Sequence, residues 1–413
     1  CSSDSSQFMR EIILISFLGP DQPNQFTRLM QVLSVHSLQI LDVGQAVIHN
    51  QLTLGIVISS NDQTATALAM KDMLILAHDI GLTVRFKPIS ESEYDQWVSE
   101  GGRTRYIVTA LAPELTAEHL KQVTQIVSNQ GFNIETVTRL SGRPERDGQQ
   151  DILQRSCVEF GLKGQMLDAQ AMRAACLRLS AELSIDVAVQ EDNAYRRNRR
   201  LVCFDMDSTL IDQEVIVELA KTAGIGEQVA AITEAAMRGE MDFDESFAQR
   251  VALLKGISTD VLDDICSRLT VSTGALTTIS ALKALGYHTV LVSGGFTYFA
   301  RYIAEQLGID EVHANALDIE DGEVTGHVQL PIVNGAKKAA IAEHTAERLG
   351  IDMSQVVCVG DGANDLPMMA LADLGVAFNA KPIVQARADA AVNVTGLEGV
   401  LYALGYPAFA RTK

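Results

Sequence analysis

Several protein classes are made improbable by what the sequence lacks. Its six cysteines are widely scattered, with no CxxC pair and no zinc-like Cys/His spacing, which indicates reduced thiols in a reducing compartment. No apolar run is long enough to span a bilayer, and the first residues lack the basic and apolar regions of a secretory signal. These absences predict a cytoplasmic protein that does not cross a membrane.

Positive charge is also scarce. Lys and Arg number 33 against 52 Asp and Glu, so the formal net charge is −19. Nucleic acids and anionic membranes are polyanions, and this balance argues against both as main partners. A small anionic substrate needs only a local positive site and is not excluded. The sequence has no GxxxxGK loop, GxGxxG motif or HExxH pair, which disfavours ATP-loop, dinucleotide and zinc-protease functions.

The first half of the chain contains a diverged repeat. Residues 12–33 have the pattern of a strand, a loop and an amphipathic helix, and this pattern returns at 106–126. Each copy continues as strand, strand, helix, strand, which is the βαββαβ order of ferredoxin-like α+β domains. Two such domains are predicted, at 9–90 and 104–190.

Polar segments separate and interrupt these repeats. Residues 90–105 and 191–200 are predicted to be linkers, and 141–150, rich in Gly, Pro and charge, is predicted to be a long exposed hairpin loop.

From residue 200 onward, short apolar strands alternate with helices. The predicted strands are 201–204, 288–292, 356–359 and 374–378. Such alternation predicts an α/β domain at 200–413, with a Rossmann-like parallel sheet covered by helices on both faces. Residues 214–270, between the first two strands, have a helical pattern too long for a plain crossover and are predicted to form a cap.

Polar clusters follow these strands, at the edge where open α/β sheets bind their ligands. The candidates are Asp205 and Asp207 after the first strand, Ser293 and Gly294 after the second, Asp361, Asn364 and Asp365 after the third, and Lys338 in the helix before it. Two close carboxylates cannot both ionise at low cost without a bound cation. A site made only of oxygen ligands suits Mg²⁺, and Asp361 is the natural further ligand.

This set of side chains suits phosphate-ester chemistry. A carboxylate nucleophile can form an aspartyl-phosphate, and a second carboxyl can act as general acid and then as general base. Ser293, the backbone N–H of Gly294 and Lys338 can hold the phosphoryl oxygens and offset their charge.

Each residue taken alone has a plainer interpretation. Asp207, Asp361 or Ser293 could cap a helix. Asp365 could bind the cation through water or only orient its loop, and Lys337, beside Lys338, could be the solvated lysine of the two.

The ordered set DMDST, SGGF, Lys338 and GDGAND resembles the four motifs of the haloacid dehalogenase superfamily, and most closely those of the phosphoserine phosphatases. The resemblance covers residues 200 to the C-terminus. It implies Mg²⁺-dependent hydrolysis of O-phospho-L-serine, the last step of L-serine biosynthesis, with Asp205 as nucleophile and Asp207 as general acid and base. The metal ligands it implies are Asp205, the backbone carbonyl of Asp207, Asp361 and, through water, Asp365.

The resemblance extends to the cap. In phosphoserine phosphatases a cap Glu binds the substrate ammonium and a cap Arg its carboxylate, and Glu214 and Arg250 stand at the matching positions. Met237 and Phe243 match apolar residues that close over the substrate. Arg binds carboxylate bidentately, which agrees with an amino-acid substrate. Considered alone, Glu214 could be a first-turn acid and Arg250 a solvated residue.

The N-terminal repeats resemble ACT domains, which commonly bind amino acids and pair into dimers. This implies a regulatory, homodimerising half with serine as effector, held near Gly19 and Asp21 in the first strand–helix loop. Ala112 replaces the glycine in the second copy. Gly19 and Asp21 could equally form an ordinary turn, and this half could serve dimerisation alone.

Two functional alternatives stay open at this stage. One is a phosphatase acting on another small phosphomonoester, such as phosphothreonine or a sugar phosphate. The other is an amino-acid sensor with a vestigial catalytic half.

Overall fold

The computed structural model describes residues 11–100, 104–142, 155–237 and 240–407. Contacts between residues divide the chain into two compact units, Cys1–Arg103 and Thr104–Lys413. In the described ranges, no helix combines the length and the apolar character needed to cross a membrane.

The first unit is an antiparallel sheet with a hydrophobic core on one face. Its elements are β1 (Glu11–Pro20), α1 (Gln25–Val35), β2 (Gln39–Ile48), β3 (Gln51–Ser60), α2 (Gln63–Asp79), β4 (Thr83–Ile89) and α3 (Glu91–Glu100). The strand order is β2-β3-β1-β4, as expected of a βαββαβ fold. Alternate β1 residues, Ile13 and Ile15, pack against Leu29 of α1 and Met73 of α2.

Helix α3 corrects the interpretation of residues 90–105 as a polar linker. Tyr94 and Trp97, one turn apart on α3, line a groove together with Leu14 and Val57, which neighbour each other on β1 and β3. A short helix with so few apolar positions has a weak periodic signal, and its contact with the sheet is a tertiary effect.

The second unit opens with a sheet of the same topology. Its elements are β5 (Arg105–Ala112), α4 (Ala117–Asn129), β6 (Asn133–Arg139), β7 (Ser156–Lys163), α5 (Ala169–Leu183) and β8 (Asp186–Glu191). The strand order β6-β7-β5-β8 repeats that of the first sheet. The repeated βαββαβ fold predicted from the sequence is therefore confirmed. Most of the predicted hairpin loop at 141–150 lies outside the described residues.

A six-stranded parallel sheet forms the rest of the second unit. Its strands are β9 (Leu201–Phe204), β10 (His288–Phe296), β11 (Glu311–Asn315), β14 (Val356–Gly360), β15 (Leu374–Phe378) and β16 (Ala390–Val392), and β12 (Leu317–Glu320) and β13 (Glu323–Val328) form a separate hairpin. The order is β11-β10-β9-β14-β15-β16. The four strands predicted from the sequence are the four central ones. The sequence did not predict the edge strands β11 and β16. β11 is partly polar and β16 is only three residues long, so neither has a clear strand pattern.

The central strands contain continuous apolar runs because both faces of the sheet are covered. Val202 and Phe204 of β9 belong to one hydrophobic cluster, and Leu201 and Cys203 belong to another on the opposite face. A strand buried on both faces therefore has a continuous apolar run instead of alternating apolar and polar residues. The helices around this sheet are α10 (Ala275–Ala284), α11 (Thr297–Leu307), α12 (Gly335–Leu349), α13 (Leu366–Leu371), α14 (Pro382–Gln385) and α15 (Gly399–Ala403).

Four helices form the segment predicted as a cap. They are α6 (Val215–Thr222), α7 (Gly226–Met237), α8 (Phe243–Ala252) and α9 (Thr259–Arg268). Leu219, Phe247 and Leu262 from three of these helices share one hydrophobic cluster with Phe296 of the sheet. The cap is thus packed into the core of the parallel-sheet domain.

The second α+β sheet is tied to the parallel sheet by buried polar contacts. The Asp186 carboxylate on β8 accepts backbone N–H groups of Asn393 (2.9 Å) and Val394 (3.0 Å). The Gln190 side-chain amide donates to the Ala403 carbonyl at 2.7 Å. The predicted boundaries at 9–90, 104–190 and 200–413 stay a prediction, and these contacts place the last two ranges in one compact unit.

Candidate active site

The end of β9 positions the first candidate carboxylate. The backbone N–H of Asp205 continues the sheet by donating to the Val359 carbonyl at 2.9 Å. Its Oδ1 accepts the Met206 N–H and the Lys338 ammonium, both at 2.8 Å. In the described part of the chain no donor reaches Oδ2, which leaves that oxygen available to an electrophile.

Lys338 lies completely buried in the first turn of α12, between two carboxylates. Its Nζ is 2.8 Å from Asp205 Oδ1 and 2.7 Å from Asp365 Oδ1. Burial alone would lower the pKa of this ammonium, but the two carboxylates outweigh burial and raise it. The neighbouring Lys337 is exposed, in line with the choice of Lys338 as the site lysine.

Asp365 organises the loop that follows β14. While Oδ1 binds Lys338, Oδ2 accepts the backbone N–H groups of Asp361 (3.2 Å) and Gly362 (3.0 Å). Asp361 in turn accepts the Thr209 hydroxyl at 3.3 Å. Of the two roles considered for Asp365, orientation of its loop is the one these hydrogen bonds support.

Three of these carboxylates are close enough to share a cation. One oxygen from each of Asp205, Asp361 and Asp365 lies within 4.8 Å of the others. Burial, followed by the charge of Asp365, raises the pKa of Asp205 and raises that of Asp361 to about 7. Lys338 supplies one positive charge against three carboxylates, so the donor set fits a further hard cation bound through oxygen.

Asp207 has one carboxyl oxygen, Oδ1, in a buried position without a hydrogen-bond donor among the described residues. Burial raises the pKa of Asp207 to about 8, and the charge of Glu214 adds to this effect. A carboxyl group that keeps its proton near neutral pH is suited to donate it.

The end of β10 faces these carboxylates. The buried Ser293 hydroxyl oxygen accepts the Gly295 N–H at 2.9 Å. The Gly294 carbonyl accepts the Asn315 side-chain amide at 2.8 Å. A Cβ on Gly294 would stand 3.5 Å from the Phe243 ring, so the cap residue Phe243 packs directly over this turn.

The cap contributes a carboxylate and a guanidinium. Glu214, just before α6, accepts the Ser208 hydroxyl at 2.9 Å. Arg250 on α8 donates from Nε to the Ser246 carbonyl at 3.3 Å. Burial lowers the pKa of Arg250, and the negative charge of Glu214 opposes this shift.

These groups line one cavity of about 480 Å³ between sheet and cap. The predicted residues among its lining are Asp205, Asp207, Glu214, Phe243, Arg250, Ser293, Gly294, Asp361 and Asn364. Lys338 and Asp365 lie buried behind this surface. The side chain of Met237, the remaining cap prediction, lies outside the described residues.

The sequence interpretation missed other residues of the lining, among them Met241, Ser246 and Lys381. Ser246 is one helical turn from both Phe243 and Arg250, so helical spacing alone places it on the same face of α8. Lys381 follows β15, and the rule that ligand sites lie beyond the carboxyl ends of strands also covers that loop.

The predicted effector residues lie in the first unit, at the end of β1. A Cβ on Gly19 would stand 2.7 Å from the Gly81 carbonyl oxygen, so the chain's own turn requires glycine here. Asp21 is exposed, and its N–H donates to the Asn50 carbonyl at 2.9 Å. Gly19 itself lies in β1, opposite Leu52 of β3, and an effector at Gly19 and Asp21 stays a prediction.

Comparison with known proteins agrees with this architecture. Residues 202–370 match the haloacid dehalogenase-like hydrolase family, and residues 11–87 match the ACT domain. A phosphoserine phosphatase of Streptomyces coelicolor is 38% identical over 399 residues, covering 95% of this chain and 92% of that protein. This chain belongs to the phosphoserine phosphatase family.

Other members of the phosphoserine phosphatase family are similar over comparable lengths. The enzyme named phosphoserine phosphatase from Mycobacterium tuberculosis is 39% identical over 394 residues, covering 95% of this chain and 93% of that protein. The solved structure of a probable phosphoserine phosphatase from Vibrio cholerae has a TM-score of 0.58 and 33% identity, covering 75% of this chain and 88% of that one. The protein is a phosphatase with a haloacid dehalogenase-type sheet and an N-terminal ACT domain.

Proposed function

We propose that this protein hydrolyses O-phospho-L-serine to L-serine and phosphate, the last step of L-serine biosynthesis, with Mg²⁺ as cofactor. The observation that carries the proposal is the single cavity that joins Asp205, Asp207 and Asp361 on the sheet side to Glu214 and Arg250 on the cap side. The sheet side suits a phosphate ester and the cap side suits an amino acid.

Asp205 is the proposed nucleophile. Its Oδ1 is held by the Met206 N–H and by Lys338, so its free Oδ2 can attack phosphorus in line and form an aspartyl-phosphate. Lys338 also neutralises Asp205 in its buried position, which favours the ionised form needed for attack.

Asp207 is the proposed general acid and base. Its raised pKa keeps it protonated near neutral pH, so it can donate to the departing serine oxygen. Once ionised, the same carboxylate can take a proton from the water that hydrolyses the aspartyl-phosphate.

The phosphoryl oxygens would be held by Ser293, the Gly294 N–H, Asn364 and Lys338. Mg²⁺, when bound by Asp205, the Asp207 carbonyl and Asp361, would offset carboxylate and phosphoryl charge, and Asp365 would support it by fixing the loop and through water. These roles are the ones predicted from the sequence. Their support is that the side chains concerned line one cavity or lie directly behind it.

Specificity for serine would come from the cap. Glu214 is suited to bind the substrate ammonium and Arg250 its carboxylate, while Phe243 and Met237 would close over the substrate. A sugar phosphate offers neither charge, so the paired Glu214 and Arg250 disfavour that alternative. The intact set of nucleophile, acid and lysine disfavours a vestigial catalytic half.

For the N-terminal half we propose regulation and homodimerisation, with serine as the effector at the first strand–helix loop. The support is the ACT domain match at residues 11–87 and the position of Asp21 just before α1. Isothermal titration of serine into the full-length protein checks it, and the absence of binding heat would leave dimerisation as the only proposed role.

The nucleophile is tested by Asp205→Asn. We expect turnover of phosphoserine to fall below detection while circular dichroism and gel-filtration profiles stay as in the wild type. The wild type should lose activity with EDTA and regain it with Mg²⁺. Near-normal turnover in Asp205→Asn would exclude the aspartyl-phosphate mechanism.

The substrate is tested by Arg250→Ala assayed on a panel of phosphorylated metabolites. Loss of phosphoserine turnover, with less effect on phosphoethanolamine, which lacks the carboxylate, is the expected result. A variant that still hydrolyses phosphoserine normally but loses another substrate would overturn the specificity assignment.

A further inference from the structure

The charged side chains that line the catalytic cavity are unequal in number. Among the described residues, two of them are basic, Arg250 on the cap and Lys381 after β15. The acidic ones are Asp205, Asp207, Glu214 and Asp361. A phosphomonoester approaching this cavity is itself an anion, so its capture depends on where positive charge is exposed.

The two other basic side chains of the site already have a role. Lys338 is completely buried, and its ammonium contacts both Asp205 and Asp365. Arg250 is on the cap, where the proposed function gives it the substrate carboxylate. This leaves Lys381 as the cavity-lining cation on the sheet side that has no role in the mechanism described above.

The backbone of Lys381 is fixed by the fold. β14 and β15 run parallel with Gly360 opposite Ala377, so the loops that follow them leave the sheet side by side. The Lys381 carbonyl accepts the Val384 N–H at 2.9 Å, and the preceding Ala380 carbonyl accepts the Gln385 side-chain amide at 2.6 Å.

The side chain of Lys381, in contrast, is exposed. Across the described residues, no carboxylate lies within ion-pair distance of its ammonium group. In a protein with a net charge of −19, an unpaired lysine at an acidic cavity is available for an incoming anion. Ala363 and Asn364, from the loop after the neighbouring strand β14, line the same cavity as Lys381.

We infer that Lys381 is a substrate-binding residue that receives the phosphate group of the substrate at the rim of the cavity. The identity of that substrate rests on the proposed function, but the role of Lys381 requires only a phosphomonoester. Lys381 attracts the dianion and holds it at the cavity rim, and it takes no part in bond making. Its loss therefore acts on KM and leaves kcat nearly unchanged.

A charge series at this position tests the inference. We expect K381R to match the wild type, K381Q to raise KM by about 3- to 10-fold, and K381E to raise it further, with kcat within about twofold throughout. Added salt should lower kcat/KM more steeply in the wild type than in K381Q, because screening removes the same attraction. K337Q and K337E make the same changes of charge at an exposed lysine that does not line the cavity. Both should behave as the wild type.

Competitive inhibition by inorganic phosphate tests whether Lys381 binds the phosphate end of the substrate. The inhibition constant of phosphate should rise in K381Q by the same factor as KM. Unchanged KM in K381Q and K381E would overturn the inference, and so would a raised KM with an unchanged phosphate inhibition constant. If the wild type hydrolyses p-nitrophenyl phosphate but not phosphoserine, the proposed substrate fails while the same variant series still tests Lys381.

Discussion

At the residue scale, the site is governed by buried carboxyl groups whose environments differ. Asp205 contacts Lys338, whereas Asp207 has a buried oxygen without a partner among the described residues. Burial raises the pKa of both groups, and Lys338 opposes this shift at Asp205, where its ammonium is 2.8 Å from Oδ1. This difference supports the proposed roles of Asp205 as nucleophile and Asp207 as acid.

The pH dependence of kcat/KM follows from Asp207. Its pKa is raised to about 8 by burial and by Glu214, and in the proposed mechanism the protonated form is the acid for departure of serine. We therefore expect kcat/KM to fall as pH rises through this pKa, which a bound cation will shift below about 8. Asp207→Asn should lower kcat/KM for phosphoserine by about 10²- to 10⁴-fold and remove this alkaline limb.

p-Nitrophenyl phosphate is the control for this prediction, because its leaving group needs no proton. Asp207→Asn should impair its hydrolysis much less than that of phosphoserine in the first, phosphoryl-transfer step measured by kcat/KM. Equal losses on both substrates would show that Asp207 does not act as the acid.

At the element scale, the loop after β14 is shaped by close contacts that only glycine permits. A Cβ on Gly360 would stand 2.4 Å from Asp365 Cγ, and one on Gly362 would stand 2.2 Å from Asn364 Oδ1. The Asp365 carboxylate therefore fits against bare backbone, where it accepts two N–H groups of its own loop. The position of Asp361 depends on this arrangement.

Gly360→Ala tests the dependence of the metal site on this loop. The new methyl group must displace the Asp365 carboxylate, so we expect a loss of about 1–3 kcal/mol in unfolding free energy. Mg²⁺ affinity in a calorimetric titration should fall by at least about tenfold, since Asp361 loses its support. Gly226→Ala, where a Cβ meets nothing within 4 Å, is the matched control and should keep wild-type affinity.

At the scale of the whole molecule, the second α+β sheet and the parallel sheet belong to one compact unit. Arg199 is buried with its guanidinium 2.8 Å from Asp373, and Leu111 of β5 shares a small hydrophobic cluster with Tyr402 of α15. Removing one partner of a buried ion pair leaves an uncompensated charge. The catalytic half is thus stabilised by a sheet that carries none of its chemistry.

Truncations test this dependence. A fragment of residues 104–413 should unfold cooperatively and keep phosphatase activity, because it retains the whole second unit. A fragment of residues 200–413 should have a Tm lower by at least about 5 °C, because it loses Arg199 and exposes the surface around Tyr402. Equal Tm values for the two fragments, measured by calorimetry, would contradict the prediction.

The sequence by itself determined the fold class and the place of the chemistry. Buried parallel strands appear as short apolar runs, and the residues after them must meet at one edge of the sheet. That rule was sufficient to bring Asp205, Ser293 and Asp361 together in advance. The repeated βαββαβ order could also be predicted, because helical and strand periodicities are local properties of the sequence.

Only the tertiary structure decided which charged groups of the site are buried in ion pairs and which are exposed. The burial of Lys338 between Asp205 and Asp365, and the exposure of Lys381 at the rim, depend on contacts between segments far apart in the chain. The edge strands and helix α3 also appeared only in three dimensions, because short elements are stabilised by their neighbours more than by their own sequence. Local pattern therefore selects the residues of this site, and packing sets their charge and access.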